Sequence, residues 1–285
     1  MNQEKGRSVM NALKKITAKN PSRNINELRI VVALERAVAR VENEPILAKH
    51  LVFKGGFVLF KLIDSPRFTR DVDALAFDLS VERIPRLMEA ALSKDLDDGM
   101  WYGDLKSEPL EHQGDYHGIR FSMAFQIGEA PAANKIRKLS RVQMDIGFGD
   151  ELPESPKVQA MKSVIPNSQP VSWLVYSLES MFAEKLQTLF RRGSANSRAR
   201  DVYDLVLLYA RCTNTKSLIT AIHKTFETRG TALPASLLPE AKTFDLTLLR
   251  SAWPSVELPD KSVTFDGQWE NLLGILAAID KDRSY

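Results

Sequence analysis

The sequence predicts an α+β protein, with a sheet and its helices in the N-terminal part and a helical C-terminal part. Three observations carry this reading. Apolar residues alternate over 116–127 and 138–148 (Ile119, Phe121, Met123; Val142, Met144, Ile146), the period of half-buried strands. After Tyr176 the apolar spacing becomes helical and stays so to the end. Between these regions Pro153, Pro156, Pro166 and Pro170 crowd into 150–172, the mark of a connector. The boundary is placed there, dividing the chain into residues 1–165 and 166–285.

The elements follow in order. Val9, Leu13 and Ile16 space a helix over 8–18, and Asn20-Pro-Ser-Arg23 breaks it. Asn26 is read as the cap of a longer helix, whose wide apolar face holds Leu28, Val31, Val32, Leu34, Glu35 and Val38, with Pro45 soon after its end. A short strand over 51–53, a helix over 56–63 and a strand over 70–77 come next. Ser80 caps a helix reaching Leu92, and the polar, Gly/Asp-rich 95–115 reads as loop and turn. The two alternating strands are then joined by a long hairpin loop over 128–135.

In the second part, Ser177 and Gly193 bound a helix over 177–192 lined by Leu178, Phe182, Leu186 and Leu189. Ser197-Arg-Ala-Arg-Asp-Val-Tyr-Asp204 opens another, with Val202, Leu205, Val206 and Tyr209 on its core face. Helices over 215–228 and 269–282 flank a Pro-rich, irregular stretch from 231 to 264.

Composition narrows the class of protein. The chain is 44% apolar and 26% charged, ordinary for a globular protein. Its apolar runs are too short to span a membrane, and its first residues hold no apolar signal segment, so a cytoplasmic protein without a membrane partner is expected. One cysteine, Cys212, excludes an internal disulfide framework and a Cys-rich zinc site. His50, His112, His117 and His223 are scattered, which argues against a His-based metal site or triad. The net charge of +3 is mild, but basic residues cluster. Lys14, Lys15, Lys19 and Arg23 form one group; Arg191, Arg192, Arg198 and Arg200 form another, suited to an RNA backbone.

The chemistry centres on 51–77. Asp71 and Asp73 stand two apart on a strand, so both carboxylates share one face about 7 Å apart along the backbone. Side by side they repel unless a cation lies between, and Mg²⁺ or Mn²⁺ takes one or two carboxylates plus substrate phosphates. Gly55-Gly56 opens a helix, where bare backbone N–H groups approach a phosphate closely. Lys54, Gly55, Gly56, Thr69 and Arg70 are therefore the nucleotide-binding candidates, with an NTP as substrate. A phosphate on Thr69 would set further negative charge beside the acids and is expected to silence the site. Asp145 alternates against Met144 and Ile146, and becomes a third carboxylate if its strand lies beside 70–77. Lys185 sits at the edge of an apolar stripe, and Asp201, in the first turn of the next helix, is close enough in sequence to meet it.

Several phrases together resemble the abortive-infection nucleotidyltransferase toxins of the AbiEii/AbiGii type. They are Leu51-Val-Phe-Lys-Gly-Gly56, Arg67-Phe-Thr-Arg-Asp-Val-Asp73, Val142-Gln-Met-Asp-Ile-Gly-Phe-Gly-Asp150, Ala183-Glu-Lys-Leu186, Ser197-Arg-Ala-Arg-Asp-Val-Tyr-Asp204 and Thr225-Phe-Glu-Thr-Arg-Gly-Thr231. The resemblance implies a polymerase-β-like nucleotidyltransferase core, a mixed sheet with flanking helices, followed by a helical domain. It implies that Asp71 and Asp73 bind Mg²⁺, and that Lys185 and Asp201 of the helical domain complete the active site. Asp145 is then the candidate base or further metal ligand. It also implies a toxin with a cognate antitoxin encoded nearby, moving NMP from an NTP to an acceptor such as the tRNA 3′ end. Such enzymes often have Gly-Ser where this chain has Gly55-Gly56, so the phosphate contact here falls to the backbone. Two rival classes use the same residues: a metal-dependent nuclease, and a non-catalytic nucleotide- or RNA-binding protein.

Overall fold

The computed structural model describes residues 2–20, 24–110, 117–149, 152 and 155–283. Arg23, His112, Asp150 and Pro153 lie outside the described residues. The chain divides into two compact units. The first holds Met1–Asp64, Phe68–Asp150 and Lys157–Val175; the second holds Ser65–Arg67, Glu151–Pro156 and Tyr176–Tyr285.

The first unit begins with helices α1 (Asn2–Lys19), α2 (Ile25–Glu42) and α3 (Leu47–His50), followed by strand β1 (Leu51–Lys54), helix α4 (Gly55–Leu62) and strand β2 (Asp71–Ala76). Helix α5 (Ile84–Leu92), β3 (Met100–Pro109), β4 (His117–Ile127), β5 (Arg141–Phe148), β6 (Lys157–Met161) and β7 (Val171–Val175) complete it. Among the described residues the strands form one seven-stranded sheet in the order β3-β4-β5-β2-β1-β7-β6. It is mixed, as expected: β2 runs parallel to β5 and β1 to β7, while the other pairs are antiparallel. Alternation decides its faces. Val142, Met144 and Ile146 of β5 are fully buried, and Arg141, Gln143 and Asp145 between them are half-buried.

Helix α2 buries its apolar face as its spacing requires, and packs on β5, β7 and α5. Its cap is Asn24, whose side chain accepts from the Asn26 N–H, not Asn26 itself. Glu35 lies within that face at 2% exposure and is satisfied there: Lys61 Nζ and Ser163 Oγ each stand 2.6 Å from it, and the Val164 N–H donates at 2.9 Å. Arg40, also buried, donates both guanidinium ends to Asp98 and lies over the Tyr102 ring.

Two stretches differ from expectation. Residues 95–115 contain β3, whose outer half is exposed because it is an edge strand beyond the core; only Met100 and Tyr102 are buried, too few to show a strand period. The Pro-rich 150–172 contains β6 and the start of β7, so the first unit runs on to Val175 rather than ending at 165. Prolines flank these strands rather than interrupt them, and β6 is the opposite edge, nearly all exposed.

The second unit is helical: α6 (Leu178–Arg192), α7 (Ala199–Tyr209), α8 (Thr215–Thr228), α9 (Leu237–Ala241), α10 (Thr247–Ala252) and α11 (Phe265–Arg283). Ser177 caps α6 by accepting from the Ser180 N–H, and Gly193 ends it at φ +46°. The stretch read as irregular, 231–264, contains the short α9 and α10. Phe182, Leu186 and Leu189 of α6 and Val202 and Leu205 of α7 are fully buried.

Candidate functional site

Strand pairing builds the acidic site of the first unit. Along β2 the register sets Lys54 of β1 beside Asp73, Asp73 beside Asp145 of β5, and Asp145 beside Arg120 of β4. Directly paired residues point to the same face, so these four side chains form one row across four neighbouring strands. Asp71 stands two residues along, beside Gln143. Asp71, Asp73 and Asp145 are all half-buried, on the face opposite the apolar core residues of their strands. The expected third carboxylate is therefore in place beside the pair.

The acids do not have the same surroundings. Arg120 grips Asp145 through Nε at 2.8 Å and Nη2 at 2.7 Å. That hydrogen bonding raises the Arg120 pKa, with burial opposing it and the charges of Asp145, Glu108 and Asp71 adding to it. Arg120 and its grip on Asp145 were not legible in the sequence: its position in an alternating strand gives no sign of which acid it faces. Asp71 accepts from the Thr69 hydroxyl at 2.6 Å. Thr69 is only 6% exposed, so that oxygen is reached by a kinase only if the segment opens. Arg70 is exposed, with its guanidinium 5.2 Å from the Phe68 ring centroid.

Gly55, the first residue of α4, has φ +77°, a conformation that favours glycine. A Cβ there would lie 2.1 Å from Asp73 Oδ2. The bare backbone at the start of α4 thus comes directly against the metal-binding candidate, and Gly56 follows inside the helix. Hard oxygen donors on one strand face beside a glycine with no room for a side chain fit a divalent cation. Among the described residues no three His, Cys, Asp or Glu side chains converge as a metal cluster. A cation here fits Asp71 and Asp73 with water or phosphate oxygens completing its shell.

The second unit holds a different assembly of charge. Lys185 Nζ of α6 is 2.8 Å from Asp201 Oδ1 and 2.9 Å from Asp204 Oδ2, both on α7. The expected meeting of Lys185 and Asp201 is present, but Asp204 joins it. Arg67 donates to both oxygens of Asp204, at 3.1 and 3.0 Å, and Arg198 Nε is 2.6 Å from Asp201 Oδ2. Asp201 and Asp204 are 1% and 0% exposed. Burial opposes the charge of Lys185, but Asp201 and Asp204 outweigh it and its pKa is raised. Burial likewise opposes the charge of Asp201, and Lys185 and Arg198 overcome it, holding its pKa well below the carboxylate range. Asp204 shows no sequence signal beyond its position three after Asp201, one helical turn on. Arg67, far away in sequence, gives none.

Of the arginine group, Arg191 and Arg200 are exposed and Arg192 and Arg198 half-buried. Burial, then the charges of Arg198 and Arg191, lower the Arg192 pKa. Lys14, Lys15 and Lys19 of the N-terminal basic group lie on α1, where Arg7, Lys15 and Lys19 line a recess of about 630 Å³ with Glu4 and Pro166.

The family described as Nucleotidyl transferase AbiEii toxin, Type IV TA system, matches residues 36–274. The chain belongs to this family. The matched span contains Asp71, Asp73, Asp145, Lys185 and Asp201. Two solved structures share the fold. A putative nucleotidyltransferase from Helicobacter pylori superposes with a TM-score of 0.51 at 14% identity, covering 90% of this chain and 95% of that one. JHP933 from Helicobacter pylori gives 0.50 at 14% identity, covering 88% and 90%. MenT4, a nucleotidyltransferase toxin from Mycobacterium tuberculosis, gives 0.47 at 18% identity, covering 93% and 98%. A comparison with curated proteins gives no match. No helix among the described residues is long and apolar enough to cross a membrane.

Proposed function

We propose that this AbiEii-family chain transfers NMP from an NTP to the 3′ end of an acceptor RNA, tRNA foremost, with Mg²⁺ or Mn²⁺ held by Asp71 and Asp73. The observation that carries the proposal is the row of acids on one sheet face with Gly55 set against Asp73. A divalent ion bound there supplies Lewis-acid charge to the phosphates.

The remaining roles belong to the chain. The backbone at Gly55 and Gly56, with Lys54, Thr69 and Arg70, holds the triphosphate. Thr69 fixes the Asp71 carboxylate through its hydrogen bond. Asp145 receives the proton of the attacking RNA hydroxyl; Arg120 orients it while a carboxylate keeps further lone pairs for that hydroxyl. The hydroxyl oxygen bonds to the α-phosphorus as the bond to pyrophosphate breaks. Lys185 gives two of its three N–H donors to Asp201 and Asp204, and we assign the third to a triphosphate oxygen. Asp201 positions Lys185 and Arg198. Arg191, Arg192, Arg198 and Arg200 hold the RNA backbone. The type IV family description points to an antitoxin partner.

The test is incubation of the purified protein with bulk tRNA, Mg²⁺ and each α-labelled NTP in turn. Label on the tRNA that vanishes with EDTA is the expected result. Shortened, unlabelled RNA would mean nuclease action, and intact, unlabelled RNA with every NTP would leave only binding.

A further inference from the structure

We propose that the connection between β4 and β5 is a second docking surface for the acceptor's phosphate backbone, carried by the first unit. The inference rests on the reading that the acceptor is a polynucleotide. From Ala130 to Met144 the chain has four basic residues, Lys135, Arg137, Lys138 and Arg141, and no acid. Arg141 is engaged within the sheet by Asp104 and Ser122. The other three are exposed on a single 3-10 turn, Ala133–Lys138. The turn is formed, not slack: the Lys135 N–H donates to Ala132 O, the Leu139 N–H to Ile136 O, and the Phe125 N–H to Ser140 O.

Its position is what gives the charge a use. The turn feeds into β5, and Gln143 of β5 lies beside Asp71 in the parallel ladder. From Lys138 to Gln143 extended chain spans at most roughly 17 Å. The basic turn therefore stands at the end of the sheet that carries the acid pair, within reach of the few nucleotides behind an acceptor's 3′ end.

Its chemistry favours a phosphate backbone over a protein partner. Ile136 and Leu139 are half-buried, and the exposed side chains include no aromatic anchor of the kind protein interfaces use. Two lysines and an arginine in one turn need only phosphates spaced along a strand.

The experiment replaces all three with Glu (Lys135→Glu, Arg137→Glu, Lys138→Glu). Binding of fluorescein-labelled bulk tRNA is followed by anisotropy across a salt series, alongside KM and kcat for tRNA and KM for the NTP. A second variant, Lys14→Glu, Lys15→Glu, Lys19→Glu on α1, makes the same change in net charge. The expected result for the turn variant is an RNA KM raised about tenfold or more, and a salt slope shallower by about two units. Its kcat and NTP KM stay within about twofold, and its melting temperature is unchanged because the three side chains are exposed. Wild-type affinity and slope in the turn variant would overturn the proposal, as would an equal loss in the α1 variant, which would make the effect one of bulk charge. Wild-type protein that neither binds nor extends tRNA would overturn the polynucleotide reading itself, and this surface with it.

Discussion

The acid row of the first unit and the ion-pair chain of the second handle charge in opposite ways. The first gathers acids: Asp71, Asp73 and Asp145 share one half-buried face of the sheet. The second alternates charges: Arg67, Asp204, Lys185, Asp201 and Arg198 follow one another in a chain of contacts whose two acids are buried. Like charges held together store repulsion that an added cation relieves, so that arrangement is suited to binding. A buried alternating chain is already balanced, and removal of a member takes a partner from each of its neighbours. Deletions of Asp71 or Asp73 should therefore cost chemistry, and deletions in the alternating chain should cost stability.

The largest stability effect is expected for Asp204→Ala. Arg67 and Lys185 both lose a partner that is fully buried, and about 3–5 kcal/mol should be lost, read as the urea midpoint of unfolding. An unchanged midpoint would mean that water already compensates these cations.

Lys185→Ala should cost roughly 1–3 kcal/mol, less because Arg67 and Arg198 still face the two acids. Its place at the edge of an apolar stripe suggests a side chain removable at little cost; its contacts with two buried carboxylates reverse that expectation. An inactive variant melting with wild type would return the lysine to a purely chemical role.

Two glycines sharpen the comparison within the first unit. Gly55 and Gly149 both have positive φ, +77° and +92°, but only Gly55 has a neighbour where Cβ would go. Each change to Ala should cost about 1 kcal/mol for the backbone. Gly55→Ala should in addition displace the Asp73 carboxylate and impair transfer, while Gly149→Ala should leave transfer intact. Equal activity in the two variants would separate Gly55 from the site.

A further contrast concerns pH. Glu42 Oε1 is buried without a hydrogen-bond partner, and burial pushes its carboxyl from the ordinary 4.5 up to about 8. A raised folded pKa gives stability that is present below the unfolded value and lost as pH rises through the folded one. The first unit should weaken between about pH 5 and about pH 8, and Glu42→Gln should remove that slope. Asp201 has the opposite sign: its lowered pKa gives stability present above 3.8 and lost only in stronger acid. Hydrogen exchange read separately in the two units distinguishes these slopes.

What was legible in the sequence follows the same division. Period-2 alternation showed β4 and β5, and the caps Ser177 and Gly193 showed α6, because each signal is local. The edge strands β3 and β6 were hidden, since strands with little core to face carry no alternation. In the sites, the i, i+2 acids and the nearby helices of Lys185 and Asp201 were readable from spacing. Arg120 against Asp145 and Arg67 against Asp204 were not, because strand pairing and long-range packing choose those partners.

We propose that the acid pair on β2 serves chemistry rather than the fold. Its most direct test is Mg²⁺-dependent transfer of labelled NMP to tRNA by Asp71→Asn and Asp73→Asn, with thermal melting of the same samples. Transfer should fall by about a thousandfold or more in each, the loss of several kcal/mol of transition-state stabilisation, while both melt at or above the wild-type temperature. Turnover within tenfold of wild type in either variant, or inactivity accompanied by a melting temperature many degrees lower, would contradict it.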